Sequence, residues 1–262
     1  MKSLVAADRG SLVLSFDLQD PAGGGERVDE RFLSLLLDLC SAHRVGASWA
    51  IAGAGGQELG QTISRATVAS EITLAAQGDW GHATCARRVF GDALYREASR
   101  LRAGRVAVTS IALPGSTIGE RRDLLAKHGF TAVRAMFDRA AQLKQAGAVP
   151  VAPRWLSHGV WELPASLYLD RAPRWPWSAE PRAIRQLLRQ AADARQIAHL
   201  VIYVPQLAES ARRGAAYLES ILRQATQLRD QGKLAIEPLS ATVQRVTALP
   251  TSTPARSILR AA

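Results

Sequence analysis

Short apolar runs alternate with longer segments of helical period along almost the whole chain, and this alternation limits the fold more than any other feature. The run Leu12–Phe16 stops at Asp17. A Gly23-Gly24-Gly25 loop follows, and Val28–His43 then carries Phe32, Leu35, Leu36, Leu39 and Cys40 at helical spacing, which predicts one buried face. Strand Ala47–Ile51, helix Gln57–Ala69, strand Glu71–Ala75, helix Arg87–Arg102, strand Val106–Ile111, helix Ile118–His128 and strand Thr131–Arg134 continue the pattern. Pro114-Gly115 ends one of these strands, and Gly129 marks a helix C-terminus. After a less regular stretch, strands are predicted at Val149–Ala152 and Trp161–Leu169. Long helices over Ala179–Ile197 and Leu207–Gln231 then flank the strand His199–Pro205, and Leu234–Glu237 and Ala241–Thr247 are a last strand and helix.

Seven or eight strand-then-helix units without a break predict an α/β fold with a parallel barrel. A length of 262 residues suits one such barrel: residues 1–249 as a single domain and 250–262, rich in Ser, Thr and Pro, as a flexible C-terminal tail. A doubly wound open sheet has the same element order, but no Gly-rich phosphate fingerprint follows the first strand. No Gly-x-Ser-x-Gly elbow and no Walker motif is present, which argues against a serine hydrolase and a P-loop enzyme.

Two cysteines, Cys40 and Cys85, cannot build a disulfide framework, and a reduced compartment is expected. Asp8 and Arg9 interrupt what would be the apolar region of a signal peptide, and no apolar stretch reaches the ~18 residues of a membrane span. These features predict a cytoplasmic protein without a membrane span.

With 33 basic and 23 acidic residues the net charge is +10, and residues 132–262 hold 18 of the basic but only 9 of the acidic side chains. Only four of the basic residues are Lys, a bias that GC-rich coding also produces. Within the basic half, Arg182, Arg185 and Arg189 fall on one helix face, a positive stripe suited to an acidic protein or a polyanion and equally to plain solvation. Trp155, Trp161, Trp175 and Trp177 cluster with Arg154, Arg171, Arg174 and Arg182, either as a stacking platform for a ligand or as packing over the barrel end.

The strand ends permit a comparison with a family. LVLSFDLQD, RFLSLLLDLCSAHRVGASWAIAG, SEITLAAQGDWGH, IALPGST and HLVIYVPQLA together resemble, in order and context, the polysaccharide deacetylase family of NodB-like carbohydrate esterases, from Leu12 to about Val246. The resemblance implies a distorted, seven-stranded (β/α) barrel. It also implies a divalent metal held by two histidines four apart and a carboxylate, with a separate Asp base and a late His acid in carbohydrate deacetylation.

Carried over position by position, the base falls on Asp17 and the next acidic position on Leu18 or Gln19, with Asp20 one residue further on. The two metal histidines fall on Ala75 and Asp79, the turn Arg on Ala112 and the late His on Val204, while Pro114, Gly115 and Pro205 remain. The shape-determining residues are kept and the reactive ones replaced, so no cofactor is expected. Asp17 is the candidate catalytic residue; Gln19, Asp20, Asp79, Trp80, His82, Trp155 and Trp161 are candidate ligand-binding residues.

Three readings stay open. One is a degenerate deacetylase-like module in carbohydrate metabolism that binds a carbohydrate or docks a partner. A second is an active carbohydrate deacetylase or hydrolase rebuilt around Asp17, Asp79 and His82. There Cys85 could complete a zinc site, or the carboxylates alone could hold Mg or Ca. The third is a basic accessory protein for a polyanion.

Overall fold

The computed structural model describes residues 8–18, 29–53, 56–65, 68–114, 121–136, 148–173 and 179–247. Its elements are, in chain order, β1 (Gly10–Asp17), α1 (Glu30–Ala42), β2 (Ala47–Ile51), α2 (Gly56–Ser64), β3 (Ser70–Ala75), a 3-10 turn (Gly78–Gly81), α3 (Arg87–Ala103), β4 (Val108–Leu113), α4 (Arg122–Lys127) and β5 (Ala132–Ala135). They continue as β6 (Arg154–Ser157), β7 (Val160–Glu162), β8 (Leu167–Leu169), α5 (Ala179–Ala194), β9 (Ile197–Tyr203), α6 (Val204–Ala208), α7 (Ala211–Asp230), β10 (Leu234–Ile236) and α8 (Leu239–Thr247). Trp175 and Trp177, like Gln19, Asp20 and the tail from residue 250, lie outside the described residues.

The sheet runs β7-β5-β4-β3-β2-β1-β9-β8 with every neighbour parallel, and β6 adds antiparallel to β7. Its two ends are one stretch of chain. Residues 160–162 pair with β5, the chain bends at Leu163–Ser166, and residues 167–169 pair with β9. The bend is pinned on both sides: the Leu163 N–H donates to Val133 O at 2.9 Å and the Ser166 N–H to His199 O at 2.8 Å. Counted around the ring, seven staves make a distorted barrel, as the resemblance implies.

Alternation along each strand divides the residues by face. On β1, Leu12, Leu14 and Phe16 join the helix-facing core, where Phe16 stacks on Trp49 of β2 with centroids 4.3 Å apart. Val13 instead joins Ala132, Leu163 and Ile197 inside the barrel, where Leu239, Val243 and Val246 of α8 complete the cluster. Helix α8 therefore stops the N-terminal end of the barrel. Its start is held by side chains of β2 and β3: Ser48 Oγ accepts from the Leu239 N–H at 2.8 Å and Glu71 Oε2 from the Ser240 N–H at 2.9 Å. A carboxylate at a helix N-terminus also meets the positive end of the helix dipole.

Several predicted boundaries shift for identifiable reasons. Helix α1 starts at Glu30, where Asp29 caps it by accepting from the Arg31 N–H at 2.9 Å. Its buried stripe is Phe32, Leu33, Leu36 and Cys40, and Leu35 is 39% exposed. At Val149–Ala152 only Val151 bridges, to Ile197, because Pro150 and Pro153 supply no N–H; the strand forms at 154–157 instead. Pro164 lies in the bend that splits the predicted strand 161–169. Pro205 lies in the first turn of α6, so β9 stops at Tyr203, and the predicted helix 207–231 divides into α6 and α7.

Gly10 shows how closely the layers approach. A Cβ built there meets Ala191 O of α5 at 2.1 Å, a backbone atom that no rotamer change moves aside. Gly10→Ala is expected to cost about 1–3 kcal/mol through forced separation of β1 and α5. A thermal midpoint equal to that of the parent would refute the close approach.

Candidate functional site

In parallel barrels the C-terminal ends of the strands carry the chemistry. Asp17, the last residue of β1, points into that end and is fully buried, with Arg134 of β5, also fully buried, hydrogen-bonded and ion-paired to its carboxylate. Strands β1 and β5 are not neighbours in the ring, so the pair crosses the interior. Arg134 Nη1 also donates to Ala135 O at 3.0 Å. The candidate base thus faces a guanidinium from the far wall.

Beside this pair, Ala75 falls in a buried apolar cluster with Ala50, Ala112 and Met136. Leu18 is 1% exposed and Val204 is fully buried. Of the positions where the resemblance implies a metal, Ala75 and Leu18 present a methyl group and a leucine, which bind no hard or borderline cation, and Asp79 alone keeps a carboxylate. The donor set does not fit the family metal. Among the described residues, no three His, Cys, Asp or Glu side chains come together as a metal site.

Deeper in the barrel, His199 of β9 is fully buried. Its Nδ1 lies 2.9 Å from Pro164 O and its Nε2 2.9 Å from Ser15 Oγ. A carbonyl only accepts, so Nδ1 carries the proton and Nε2 accepts from the serine hydroxyl. Its backbone N–H donates to Ser166 Oγ at 3.0 Å, so this residue fastens β1, β9 and the bent closing segment together. Burial, and then the Arg134 charge, lower its pKa to about 3, against hydrogen bonds to the Pro164 and Leu163 backbone that raise it. The imidazole is neutral at pH 7.

Asp79 and His82 are both exposed. With Trp80, Thr84, Cys85, Ala86 and Val89 they line an open hollow of about 390 Å³. Trp80 backs this hollow by packing on Phe90, with centroids 5.8 Å apart. Arg121 supports its far side: it donates to His82 O at 2.9 Å and lies 4.4 Å from the Phe90 ring centroid. Asp17 is not among the residues that line the hollow, and Asp17, Asp79 and His82 form no metal-holding group among the described residues.

Trp155 and Trp161 form an edge-on pair 5.1 Å apart, with Trp155 51% exposed. Trp161 is in register with Ala132, the first residue of β5, and packs on the cluster that α8 completes. This pair therefore sits toward the N-terminal end of the barrel, away from Asp17. Arg182, Arg185 and Arg189 are all exposed on α5.

The sequence reading passed over Arg134 and His199. The signal available was a single polar residue inside an otherwise apolar strand, in AVRA and in IAHLVIY, at an inward register.

No protein-family model matches the sequence, and no curated protein matches it. Among solved structures, one described as a polysaccharide deacetylase from Mycobacterium smegmatis is 19% identical over 97% of each chain, with a TM-score of 0.66. The PuuE allantoinase is 11% identical over 93% of this chain and 92% of its own, with a TM-score of 0.62. A CE4 family pseudoenzyme from Bacillus anthracis is 13% identical over 89% of this chain and 65% of its own, with a TM-score of 0.52. The chain has the fold of the polysaccharide deacetylases. No helix among the described residues is long and apolar enough to cross a membrane.

Two outcomes test the interior. Arg134→Met strands a buried carboxylate and is expected to cost about 3–5 kcal/mol, while adding Asp17→Val recovers most of that loss. Additive losses in a urea double-mutant cycle would contradict the coupling. The folded pKa of His199 lies below its unfolded value of about 6.5, so the unfolded chain binds more protons between those limits. Stability contributed by the neutral ring is full above pH 6.5 and falls by about 1.4 kcal/mol per unit as pH drops toward 3. His199→Asn should flatten that slope in urea midpoints measured at pH 7, 5.5 and 4.5.

Proposed function

We propose that this chain is a degenerate polysaccharide deacetylase-like protein, a non-catalytic module that binds carbohydrate or docks a partner in carbohydrate metabolism. One observation supports the reading: the candidate base Asp17 is fully buried in an ion pair with Arg134, at a barrel end where Ala75, in place of one metal histidine, lies in an apolar cluster. A general base must reach the proton it removes and hold a lone pair free to take it. The Asp17 carboxylate is fully buried and engaged by Arg134, so it is not open to a substrate proton.

The Bacillus anthracis neighbour is itself described as a pseudoenzyme, so this fold occurs in a protein without the family activity. The PuuE allantoinase has the same fold and a different stated activity, so the fold alone does not choose a substrate.

For the carbohydrate role, the hollow beside the 3-10 turn supplies suitable groups. It combines the ring of Trp80 with the Asp79 carboxylate, the His82 imidazole and the Thr84 hydroxyl. Sugars present apolar C–H faces and hydroxyl edges, and pockets that mix apolar area with a few polar groups match both. The reading places the protein outside metal-dependent chemistry, and it carries no assignment to a cell compartment.

Purified protein supplied with zinc is expected to release no acetate from N-acetylglucosamine oligomers. Acetate release that disappears in Asp17→Asn would overturn the proposal and restore an active deacetylase.

A further inference from the structure

The arginines of α5 and of the start of α7 are arranged differently from those of α3. On α3, Arg88, Arg96 and Arg100 each lie within ion-pair distance of a carboxylate on the same helix, and Arg87 pairs with Asp123 of α4. On α5 the residues opposite the buried Ile184, Leu187, Leu188 and Ala191 are Arg182, Arg185, Gln186, Arg189 and Gln190, all exposed. Arg212 and Arg213, in the first turn of α7, are exposed as well. None of these five arginines makes an ion pair among the described residues.

The two helices are joined at the same end. Tyr217 of α7 donates to Glu180 Oε1, in the first turn of α5, at 2.9 Å. Both helices border parallel strands, so their first turns lie toward the C-terminal end of the barrel. Arg182 and Arg185 are therefore brought to the same rim as Arg212 and Arg213. Of the acids nearby, Glu180 accepts from Tyr217 and Asp170 pairs with Arg171, while neither Glu209 nor Asp193 forms an ion pair with these arginines among the described residues.

We propose that the outer faces of α5 and the start of α7 form a docking surface for an anionic glycan, specifically a polymer carrying a carboxylate on its repeating sugars. Charge complementarity carries the proposal. Exposed arginines without carboxylate partners leave a positive field that extends about a Debye length from the surface. The guanidinium fork matches a carboxylate with two parallel N–H donors, a geometry that a lysine ammonium lacks. Along α5 the rise of 1.5 Å per residue sets Arg182, Arg185 and Arg189 about 4.5 and 6 Å apart along the axis, a ladder of charges on a convex face. Such a ladder suits a flexible polymer with regularly repeated charges better than a single small ligand. The choice of a glycan over other polyanions rests on the proposed carbohydrate role, whereas the surface itself does not.

The test is affinity electrophoresis of the full-length protein through native gels containing alginate, a polyuronate, with an uncharged dextran gel as reference. Retardation by alginate but not dextran is expected, decreasing as salt rises. The triple variant Arg182→Gln, Arg185→Gln, Arg189→Gln, on exposed positions that leave the core intact, should bind about tenfold more weakly, the scale of several exposed charge contacts. Absence of retardation, or an unchanged triple variant with a parental melting curve, overturns the surface. Stronger retardation by duplex DNA than by alginate at equal charge overturns the glycan and assigns the face to nucleic acid. Acetate release plays no part in this readout, so failure here and failure of the non-catalytic reading are told apart.

Discussion

The buried pair between Asp17 and Arg134 is the constraint around which the barrel end is arranged. It spans the interior between walls that share no hydrogen bonds, so it holds the separation of β1 and β5 as a strut would. Two ions removed from water are costly unless each is answered, and here each answers the other. The charged atoms occupy the centre of the mouth, and what remains beside them is filled by Ala50, Ala75, Ala112 and Met136. His199 does the equivalent work one layer down with neutral hydrogen bonds instead of charge.

This arrangement separates two kinds of residue that an enzyme of the same shape would hold side by side. Pro114 and Pro205 act on the backbone, ending a strand and starting a helix, and they are compatible with any contents of the barrel. Side chains that would do chemistry act through lone pairs and charge, whereas Leu18, Ala75, Ala112 and Val204 offer neither. The packing has absorbed them, as the buried state of Ala75, Ala112 and Val204 shows.

Most strands and helices were legible because one face or one stripe of each is apolar, and period distinguishes the two. Ala47–Ile51 agrees to the residue for another reason: it is a short, fully buried run that directly follows the Arg44-Val45-Gly46 turn. The misread boundaries at residues 149–152, 161–169 and 204–210 all involve prolines, whose effect depends on the neighbouring chain: Pro164 lies in a bend, while Pro205 opens a helix. The strut was not legible, since nothing local relates Asp17 to a residue 117 positions away. Arg134 reads as surface charge until the ring closes and sends it inward. The hollow that Asp79 and His82 line likewise depends on where the chain turns after β3, which spacing does not determine.

The last elements of the barrel meet the first. Strand β10 pairs Leu234, Ala235 and Ile236 with Gly10, Ser11 and Leu12, and α8 fills the space beneath them. On the ribosome, β1 would therefore be made early and wait for partners that emerge at the end of synthesis. Until residue 247 has left the exit tunnel the barrel has an open floor, and its inward Val13 and Ala132 face water. A topology so dominated by contacts between distant parts of the chain is expected to fold slowly.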